Sequence, residues 1–426
     1  MDSDYRDLGT KSKSDLNLLA RDLTGEKQPA TWIEAAFGMT LGDFDQNVRG
    51  SRFLKGRLPD EKWRDLFTWE HLNLLLNTSD RRTSMVHVIQ QGEYLNKSKY
   101  TREVSGNRIG AIAPDALARA MREGHSLMLQ QAQGYHAPFQ DLADQLTLEL
   151  SEFVGINVYV SWCTDRCFNT HWDSHDVLIL QTEGEKEWSV FEPTRQFPMG
   201  DDVEYSDDDE NLTLAWNGTL KAGDVLYVPR GWWHHAKSTD EGSIHLTCGF
   251  ENRTGVDAFR HLLTLATQSE EFRRDLPRPV IPADGEFNTE FRDQLRSFID
   301  TAIDSKFMRD FWLTHFSDMP PRRRHHLPAT IDFELFRTGN YELQISSSAA
   351  LISLERAEDE FTLDIGIRRW VFASAAYDLI RSFTEGRKVE YRSILDAPPG
   401  DLTAEDCEQL VFELLNEGVL NITKQL

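Results

Sequence analysis

The sequence predicts an α+β protein with a double-stranded β-helix of jelly-roll type at its centre. Short apolar or alternating stretches separated by glycine turns fill residues 156–250, which is typical of β-sandwiches and barrels. Residues 256–316 instead show helical spacing of their apolar residues, and the last hundred residues mix both patterns. A chain of 426 residues is long enough for two or three domains.

The segment before the β-rich region is mostly helical in pattern. Residues 1–30 are polar and are expected to be loosely ordered. Helical spacing begins at residue 31 and returns at residues 69–77, 113–121 and 138–153, with Pro114 suited to a first helical turn. Short strands are predicted at residues 85–89 and 126–130.

The β-rich region contains six predicted strands, at residues 156–161, 177–181, 188–191, 212–216, 224–228 and 244–250. Gly184 lies in the turn of a hairpin between the second and third strands. Residues 201–210 form a run of acidic side chains. We interpret this run as a solvated surface loop, with contact to a basic substrate as the alternative.

After residue 252 the spacing of apolar residues changes from a strand pattern to a helical one. Helices are predicted at residues 256–267, 291–304 and 307–316, followed by a breaker at Pro320 and Pro321. Strands are then expected at residues 333–336, 341–345, 351–354 and 361–365, helices at 373–383, 389–395 and 402–416, and a closing strand at 418–422. The final helix–helix–strand order suggests a winged-helix-like unit. We therefore divide the chain into residues 1–252, 253–317 and 327–426.

Charge argues against a nucleic-acid partner. The net charge is −24, and residues 331–426 contain 9 basic and 18 acidic residues, whereas DNA binding needs a basic surface. A basic protein or peptide suits this charge better. None of the four cysteines forms a C-x-x-C motif, so reduced thiols are expected. No apolar run reaches the length of a membrane span, and we expect a cytoplasmic protein.

An H-x-D motif, His171 and Asp173, directly precedes the apolar run at residues 177–180. On a strand, a period of two places both side chains on the same face. A distant third ligand, His234 or its neighbour His235, would complete the 2-His-1-carboxylate triad of non-haem Fe(II) oxygenases. His175 is a competing ligand if the strand is regular, although a supporting or substrate-side role fits it better.

Lys186 lies between these ligands in the sequence, beside the alternating strand at residues 188–191. A dicarboxylate co-substrate that chelates the metal leaves its far carboxylate in need of one cation within a mostly apolar pocket. Lys186 can supply that cation. An ordinary surface lysine is the alternative interpretation.

Together these motifs resemble the JmjC-type ribosomal oxygenases of the cupin superfamily. The similarity rests on residues 171–181, on residues 183–188 around Lys186, and on residues 229–234. It extends loosely to the layout of a barrel, a helical dimerisation unit and a winged helix without DNA-binding charge. The barrel motifs are specific, whereas the C-terminal likeness is weaker.

The resemblance implies roles for individual residues. His171, Asp173 and His234 would hold Fe(II), with His234 favoured over His235 by the family register. Lys186 would pair with 2-oxoglutarate, and Asn157 and Thr247 would line the co-substrate pocket. It also implies a homodimer that uses O2 to hydroxylate a histidine or arginine of a ribosomal protein.

Other functions stay open from the sequence. An oxygenase that tailors a small molecule or a biosynthetic peptide would use the same triad, as would a demethylase of N-methyl lysine. A non-catalytic metal-binding cupin scaffold is the alternative from a different class. Trp232 and Trp233 could cover the metal or shape the substrate entrance, with ordinary packing as the default.

Overall fold

The structure, a computed structural model, describes residues 30–78, 83–104, 107–162, 166–200, 202, 205–206, 211–239, 241–276, 285–318, 325–346, 352–365, 368–384 and 388–426. These residues form two compact units, one within residues 31–319 and one within residues 320–426. None of the helices in these ranges combines the length and the apolar character that a membrane crossing requires.

The first unit begins with helices and small strands. Its helices before the barrel are α1 (Trp32–Phe37), α2 (Leu41–Asn47), α3 (Asp60–Trp63), α4 (Trp69–Thr78), α5 (Pro114–Arg122) and α6 (Ala137–Leu150). The accompanying strands are β1 (Leu54–Arg57), β2 (Val86–Gln90), β3 (Glu93–Tyr94), β4 (Thr101–Val104), β5 (Asn107–Ile112) and β6 (Ser126–Leu129). Thr31 starts α1 by accepting a hydrogen bond from the Glu34 backbone N–H, in a capping box.

The barrel strands follow in sequence. They are β7 (Val154–Ser161), β8 (Thr170–His171), β9 (Asp176–Glu183), β10 (Glu185–Phe191), β11 (Tyr205–Ser206), β12 (Leu214–Lys221), β13 (Asp224–Val228), β14 (Trp233–Ser238) and β15 (Ser243–Phe250). An eight-stranded sheet has the order β1-β13-β9-β15-β7-β6-β2-β3, and a five-stranded sheet has the order β11-β8-β14-β10-β12. The pairings in both sheets are antiparallel.

Alternation along the strands separates the outer core from the barrel interior. Ile156 and Val158 of β7 pack with α6 in a core outside the barrel. Ile179 of the larger sheet and Trp188 and Val190 of the smaller sheet share an inner cluster, so the two sheets pack face to face. The central part of the fold is therefore an antiparallel β-sandwich of the jelly-roll kind, with helices on one side.

Three helices, α7 (Gly255–Ala266), α8 (Gly285–Ala302) and α9 (Phe307–Asp318), follow the barrel. Thr254 caps α7 by accepting a hydrogen bond from the backbone N–H of Asp257. His315 of α9 contacts the buried carboxylate of Glu152 at 3.0 Å, and the backbone N–H of Arg253 donates to the same carboxylate at 2.8 Å. Glu152 thus ties α9 to the ends of two barrel strands.

The second unit combines small sheets and short helices. It contains α10 (Phe333–Thr338), β16 (Tyr341–Ile345), β17 (Ile352–Arg356), β18 (Glu360–Ile365), β19 (Arg368–Ala373), α11 (Tyr377–Thr384), β20 (Val389–Glu390), α12 (Tyr391–Asp396), α13 (Ala404–Asn416) and β21 (Leu420–Gln425). The strand predicted at residues 333–336 is wrong, because this segment is helical. Asp332 caps it by accepting from the Leu335 N–H, and Phe336 is fully buried at helical spacing from Phe333.

Candidate metal and co-substrate site

His171 and Asp173 lie where the chain passes from one barrel sheet to the other. His171 ends β8 in the five-stranded sheet, whereas Asp173 precedes β9 of the eight-stranded sheet. The expectation that one continuous strand carries both ligands is therefore wrong. Trp172, between them, is fully buried and meets Trp233 edge-on at 6.4 Å between ring centroids. The change of sheet interrupts strand pairing at this point.

Of the two histidines that could provide the third ligand, the structure brings His234 close to His171 and Asp173. His234 of β14 is the register partner of His171, and their ring centroids lie 4.6 Å apart. One potential ligand atom from each of His171, Asp173 and His234 lies within 4.8 Å of the other two. His235 points elsewhere, because adjacent strand residues face opposite sides, and its Nδ1 contacts the Thr170 hydroxyl at 2.9 Å.

Backbone carbonyls fix the orientation of both imidazoles. The Nδ1 atom of His171 lies 2.8 Å from the Asn169 carbonyl oxygen, and that of His234 lies 3.0 Å from the Trp232 carbonyl oxygen. Since a carbonyl oxygen can only accept, Nδ1 carries the hydrogen in each ring. Nε2 is therefore the ring nitrogen that would bind a metal. A hydrogen bond from Nδ1 to a carbonyl oxygen commonly orients metal-binding histidines in this way.

Electrostatics favour the metal-binding protonation states of His234 and Asp173. Burial and the neighbouring His171 lower the pKa of His234 to about 4, so its imidazole is neutral near pH 7. Burial opposes ionisation of Asp173, but the imidazoles of His175, His171 and His234 outweigh it and lower the pKa of Asp173. Two imidazoles and one carboxylate are the donor set that a divalent non-haem iron prefers.

Lys186 lies on the inner face of β10 and is 2% exposed. Its Nζ donates to the Ser161 hydroxyl at 3.0 Å and lies 3.4 Å from Nδ1 of His245. Within the described part of the chain it forms no ion pair with a carboxylate. Burial lowers the pKa of Lys186 to about 8, against a weaker opposing effect of Cys167. A buried lysine without an anionic partner fits a pocket that receives a carboxylate ligand.

Lys186 and the three potential metal ligands lie at different levels of one barrel. In the β10–β14 register, His234 faces Val190, whereas Lys186 faces Ser238. Four strand residues separate the two levels, which corresponds to about 13 Å along the backbone. The cationic group and the potential metal ligands therefore occupy separate parts of the same interior.

Asn157 and Thr247, the other two predicted pocket residues, are register partners on β7 and β15. Both are partly exposed, on the side of their strands opposite to the outer core. The Asn157 side-chain oxygen accepts from the Gln131 backbone N–H at 3.0 Å. They therefore lie on the interior side of the barrel.

Three residues that line this pocket were not among the predicted site residues. Ser161 and His245 contact Lys186, and the Tyr159 ring stacks on His245 with centroids 5.0 Å apart. Continuing the period of two from Asn157 reaches Tyr159 and Ser161, and stepping back from Thr247 reaches His245. That alternation was the signal that could have identified them.

The remaining candidate residues lie beside the site. His175 is outside the three-ligand cluster, and its ring covers Gly249, where an added Cβ would come within 2.8 Å of the imidazole. Trp233 is buried and donates to the Thr194 hydroxyl at 2.9 Å, while Trp232 packs edge-on against Phe53. Both tryptophans therefore make packing contacts.

Cys167, Cys248 and Cys407 are free thiols. Cys163 lies outside the described residues, as does most of the acidic run at 201–210. Within that run, Asp202 pairs with Arg195 at 2.9 Å.

Residues 129–257, which include every predicted site residue, match the JmjC domain family. Ribosomal oxygenase 1 of Bos taurus is 30% identical over 221 residues, covering 49% of this chain and 33% of the bovine protein. The protein of Dictyostelium discoideum named bifunctional lysine-specific demethylase and histidyl-hydroxylase NO66 is 29% identical over 248 residues, covering 55% and 46% respectively. The chain thus aligns with less than half the length of these relatives.

Solved structures of YcfD from Escherichia coli share the fold. One superposes with a TM-score of 0.51 at 16% sequence identity, covering 90% of this chain and 98% of YcfD. Another, described as a ribosomal oxygenase in complex with cobalt and 2-oxoglutarate, has a TM-score of 0.50 at 15% identity and covers 91% and 99%. Residues 129–257 are therefore similar to JmjC domains, and about half of the chain is similar in sequence to ribosomal oxygenase 1 of Bos taurus.

Proposed function

We propose that the protein is an Fe(II)- and 2-oxoglutarate-dependent oxygenase that hydroxylates a side chain of a protein substrate. The observation that carries the proposal is that one barrel holds both a cluster of potential metal ligands and a buried cation. One potential ligand atom from each of His171, Asp173 and His234 lies within 4.8 Å of the other two. Lys186 is a buried cation that forms no ion pair with a carboxylate among the described residues.

In this proposal His171, Asp173 and His234 would hold Fe(II). The bound iron, with 2-oxoglutarate and O2, supplies the oxidising power to hydroxylate an unactivated C–H bond. The protein contributes orientation: the Asn169 and Trp232 carbonyls hold the imidazoles, so the metal site needs little reorganisation.

Lys186 receives the far carboxylate of 2-oxoglutarate in this proposal, and Asn157 and Thr247 line the pocket. A buried charge without a partner is costly, and a carboxylate ligand compensates it through a charge-assisted hydrogen bond. The deep position of Lys186 favours a ligand that is mostly withdrawn from water.

We propose a basic ribosomal protein as the substrate, with hydroxylation at histidine or arginine. The names of the bovine and Dictyostelium relatives support this class. The net charge of −24 favours association with a basic partner and disfavours DNA. A cytoplasmic location is part of the same proposal.

We also propose a homodimer that uses the helical region at residues 253–317, between a catalytic domain at 1–252 and a winged-helix-like domain at 327–426. Val256, Phe259 and Leu263 share one face of α7 and are 46%, 69% and 66% exposed. Such an apolar stripe suits a contact between protein surfaces. Sedimentation at micromolar concentration should give a dimer, and Phe259→Glu should give a monomer; a monomeric parent protein would contradict the proposal.

Incubation with Fe(II), 2-oxoglutarate, O2 and a set of basic ribosomal proteins tests the function. We expect succinate formation coupled to a mass increase of one oxygen atom in one substrate, mapped by tandem mass spectrometry. Asp173→Ala should abolish both signals, whereas His235→Ala, which alters the histidine facing away from the cluster, should retain them. Succinate formation that never depends on an added protein or peptide would contradict a protein substrate.

A further inference from the structure

His245 lies in the barrel interior, 4% exposed, on the strand β15 that also carries Thr247. Its ring stacks on Tyr159, with planes 10° apart, and meets Trp188 edge-on at 5.4 Å between centroids. Aromatic contacts on the face and at the edge hold the imidazole in one orientation. That orientation places Nδ1 3.4 Å from Nζ of Lys186.

The chemistry of the pair fixes which atom donates. An ammonium group carries three N–H donors and no acceptor, so Nδ1 of His245 must accept. The imidazole is then neutral, with its hydrogen on Nε2. Burial and the nearby Lys186 cation independently lower the pKa of His245 well below its ordinary value, which agrees with a neutral ring.

The donors of Lys186 can now be assigned. One N–H is directed at the Ser161 hydroxyl and a second at Nδ1 of His245, and these are its hydrogen-bond partners in the described part of the chain. One N–H is left over. Ser161 is held in turn by the Ser126 hydroxyl at 2.8 Å. Two fixed acceptors therefore constrain the direction of the third donor.

We propose that His245 is a positioning residue: its neutral imidazole and Ser161 orient the Lys186 ammonium so that one N–H faces the far carboxylate of the dicarboxylate co-substrate. The pocket then carries a single positive charge, which one carboxylate neutralises. A protonated imidazole would add a second positive charge and remove the acceptor. The inference rests on the proposed function and goes beyond it by assigning a role to His245.

Two substitutions separate hydrogen bonding from packing. His245→Phe keeps an aromatic ring against Tyr159 but removes the acceptor, whereas His245→Asn loses the ring and retains an acceptor, its amide oxygen, near the position of Nδ1. Calorimetric titration of the anaerobic Fe(II)-loaded proteins would use 2-oxoglutarate and, as the control ligand, 2-oxopentanoate. The control ligand has the same 2-oxo acid end and the same number of carbons but no second carboxylate.

We expect His245→Phe to weaken 2-oxoglutarate binding about tenfold, or about 1.4 kcal/mol, and to leave 2-oxopentanoate unchanged. His245→Asn should stay within about threefold of the parent protein for 2-oxoglutarate. The inference is overturned, with the proposed function intact, if His245→Phe binds 2-oxoglutarate as the parent does, or if both variants weaken both ligands equally. A parent protein that binds neither ligand overturns the proposed function and the inference together.

The tautomer provides a second test that needs no metal. Nitrogen-15 NMR of the metal-free protein with labelled histidine, assigned with His245→Asn, should show an unprotonated Nδ1 and a protonated Nε2 for His245 at pH 7. A hydrogen on Nδ1 would overturn the inference, because that atom could no longer accept from Lys186.

Discussion

The two levels of the barrel interior, around Asp173 and around Lys186, differ in the sign of their charge. At one level, Asp173 contributes a negative charge beside the neutral imidazole of His234. At the other, Lys186 contributes a positive charge beside the Ser161 hydroxyl and the His245 ring. The first level therefore suits a cationic ligand, and the second suits an anionic one. We propose that one interior receives a metal cation at the first level and a carboxylate at the second, and the two levels can be tested separately.

The largest effect is expected at the negative level. His171→Ala should weaken Fe(II) binding more than about 100-fold, because loss of a supporting group alone costs 10–100-fold. Competition titration with a chelator measures this. His235→Ala is the matched control, since that ring contacts Thr170 and not the cluster. Equal losses in both variants would contradict the assignment of His234.

At the positive level, Lys186→Met removes the cation and keeps much of the side-chain volume. We expect 2-oxoglutarate binding to weaken about 100-fold, or about 2.7 kcal/mol, while Fe(II) binding stays unchanged. The ligand-free variant should also unfold at a higher temperature, because an uncompensated buried charge is gone. Lys237→Met, at a half-exposed lysine, is the control. A variant that binds 2-oxoglutarate normally would contradict the role of Lys186.

The lowered pKa of Lys186 gives a pH dependence with a defined sign. The protonated amine binds the carboxylate, so 2-oxoglutarate affinity should fall as pH rises through about 8. Between about pH 8 and 10.5 the unfolded chain holds the Lys186 proton and the folded chain releases it, so the contribution of this residue to stability rises with pH in that window. Both trends should disappear in Lys186→Met. Affinity titrations and thermal unfolding across this range measure them.

The smallest effect on Fe(II) affinity is expected for substitution of His175. It lies beside Asp173 but outside the cluster of potential ligands. His175→Ala should therefore change Fe(II) affinity by less than about threefold, well below the effect expected for a ligand. A loss comparable to that of His171→Ala would show that His175 is a ligand after all. The same chelator competition provides the readout.

The sequence correctly predicted most elements that depend on the local periodicity of apolar residues. The sequence pattern identified six of the nine strands from β7 to β15 but missed β8, β11 and β14, and helical spacing identified α7 to α9, because burial on one face imposes these periods. It failed at residues 333–336, where aromatic residues suited to a strand form a helix that Asp332 caps. It also failed to see that the chain changes sheets between His171 and Asp173, since pairing with distant strands decides that point.

The same distinction applies to the candidate site, where some residues follow from local motifs and others only from contacts between distant segments. His171, Asp173 and Lys186 could be named from motifs. The spacing left His234 and His235 both open, because the face of a strand depends on its register, and only the family resemblance favoured His234. The interaction of Lys186 with Ser161 and His245 joins three different strands. Such contacts between segments far apart in the chain require the three-dimensional fold.

The most direct test of the central claim is an anaerobic absorption titration of the metal-free protein, first with Fe(II) and then with 2-oxoglutarate. We expect a metal-to-ligand charge-transfer band in the parent protein that is absent in His171→Ala and that needs far more 2-oxoglutarate in Lys186→Met. A parent protein that binds Fe(II) but develops no band at any 2-oxoglutarate concentration would contradict the proposal that the two levels of the barrel serve one metal and one dicarboxylate.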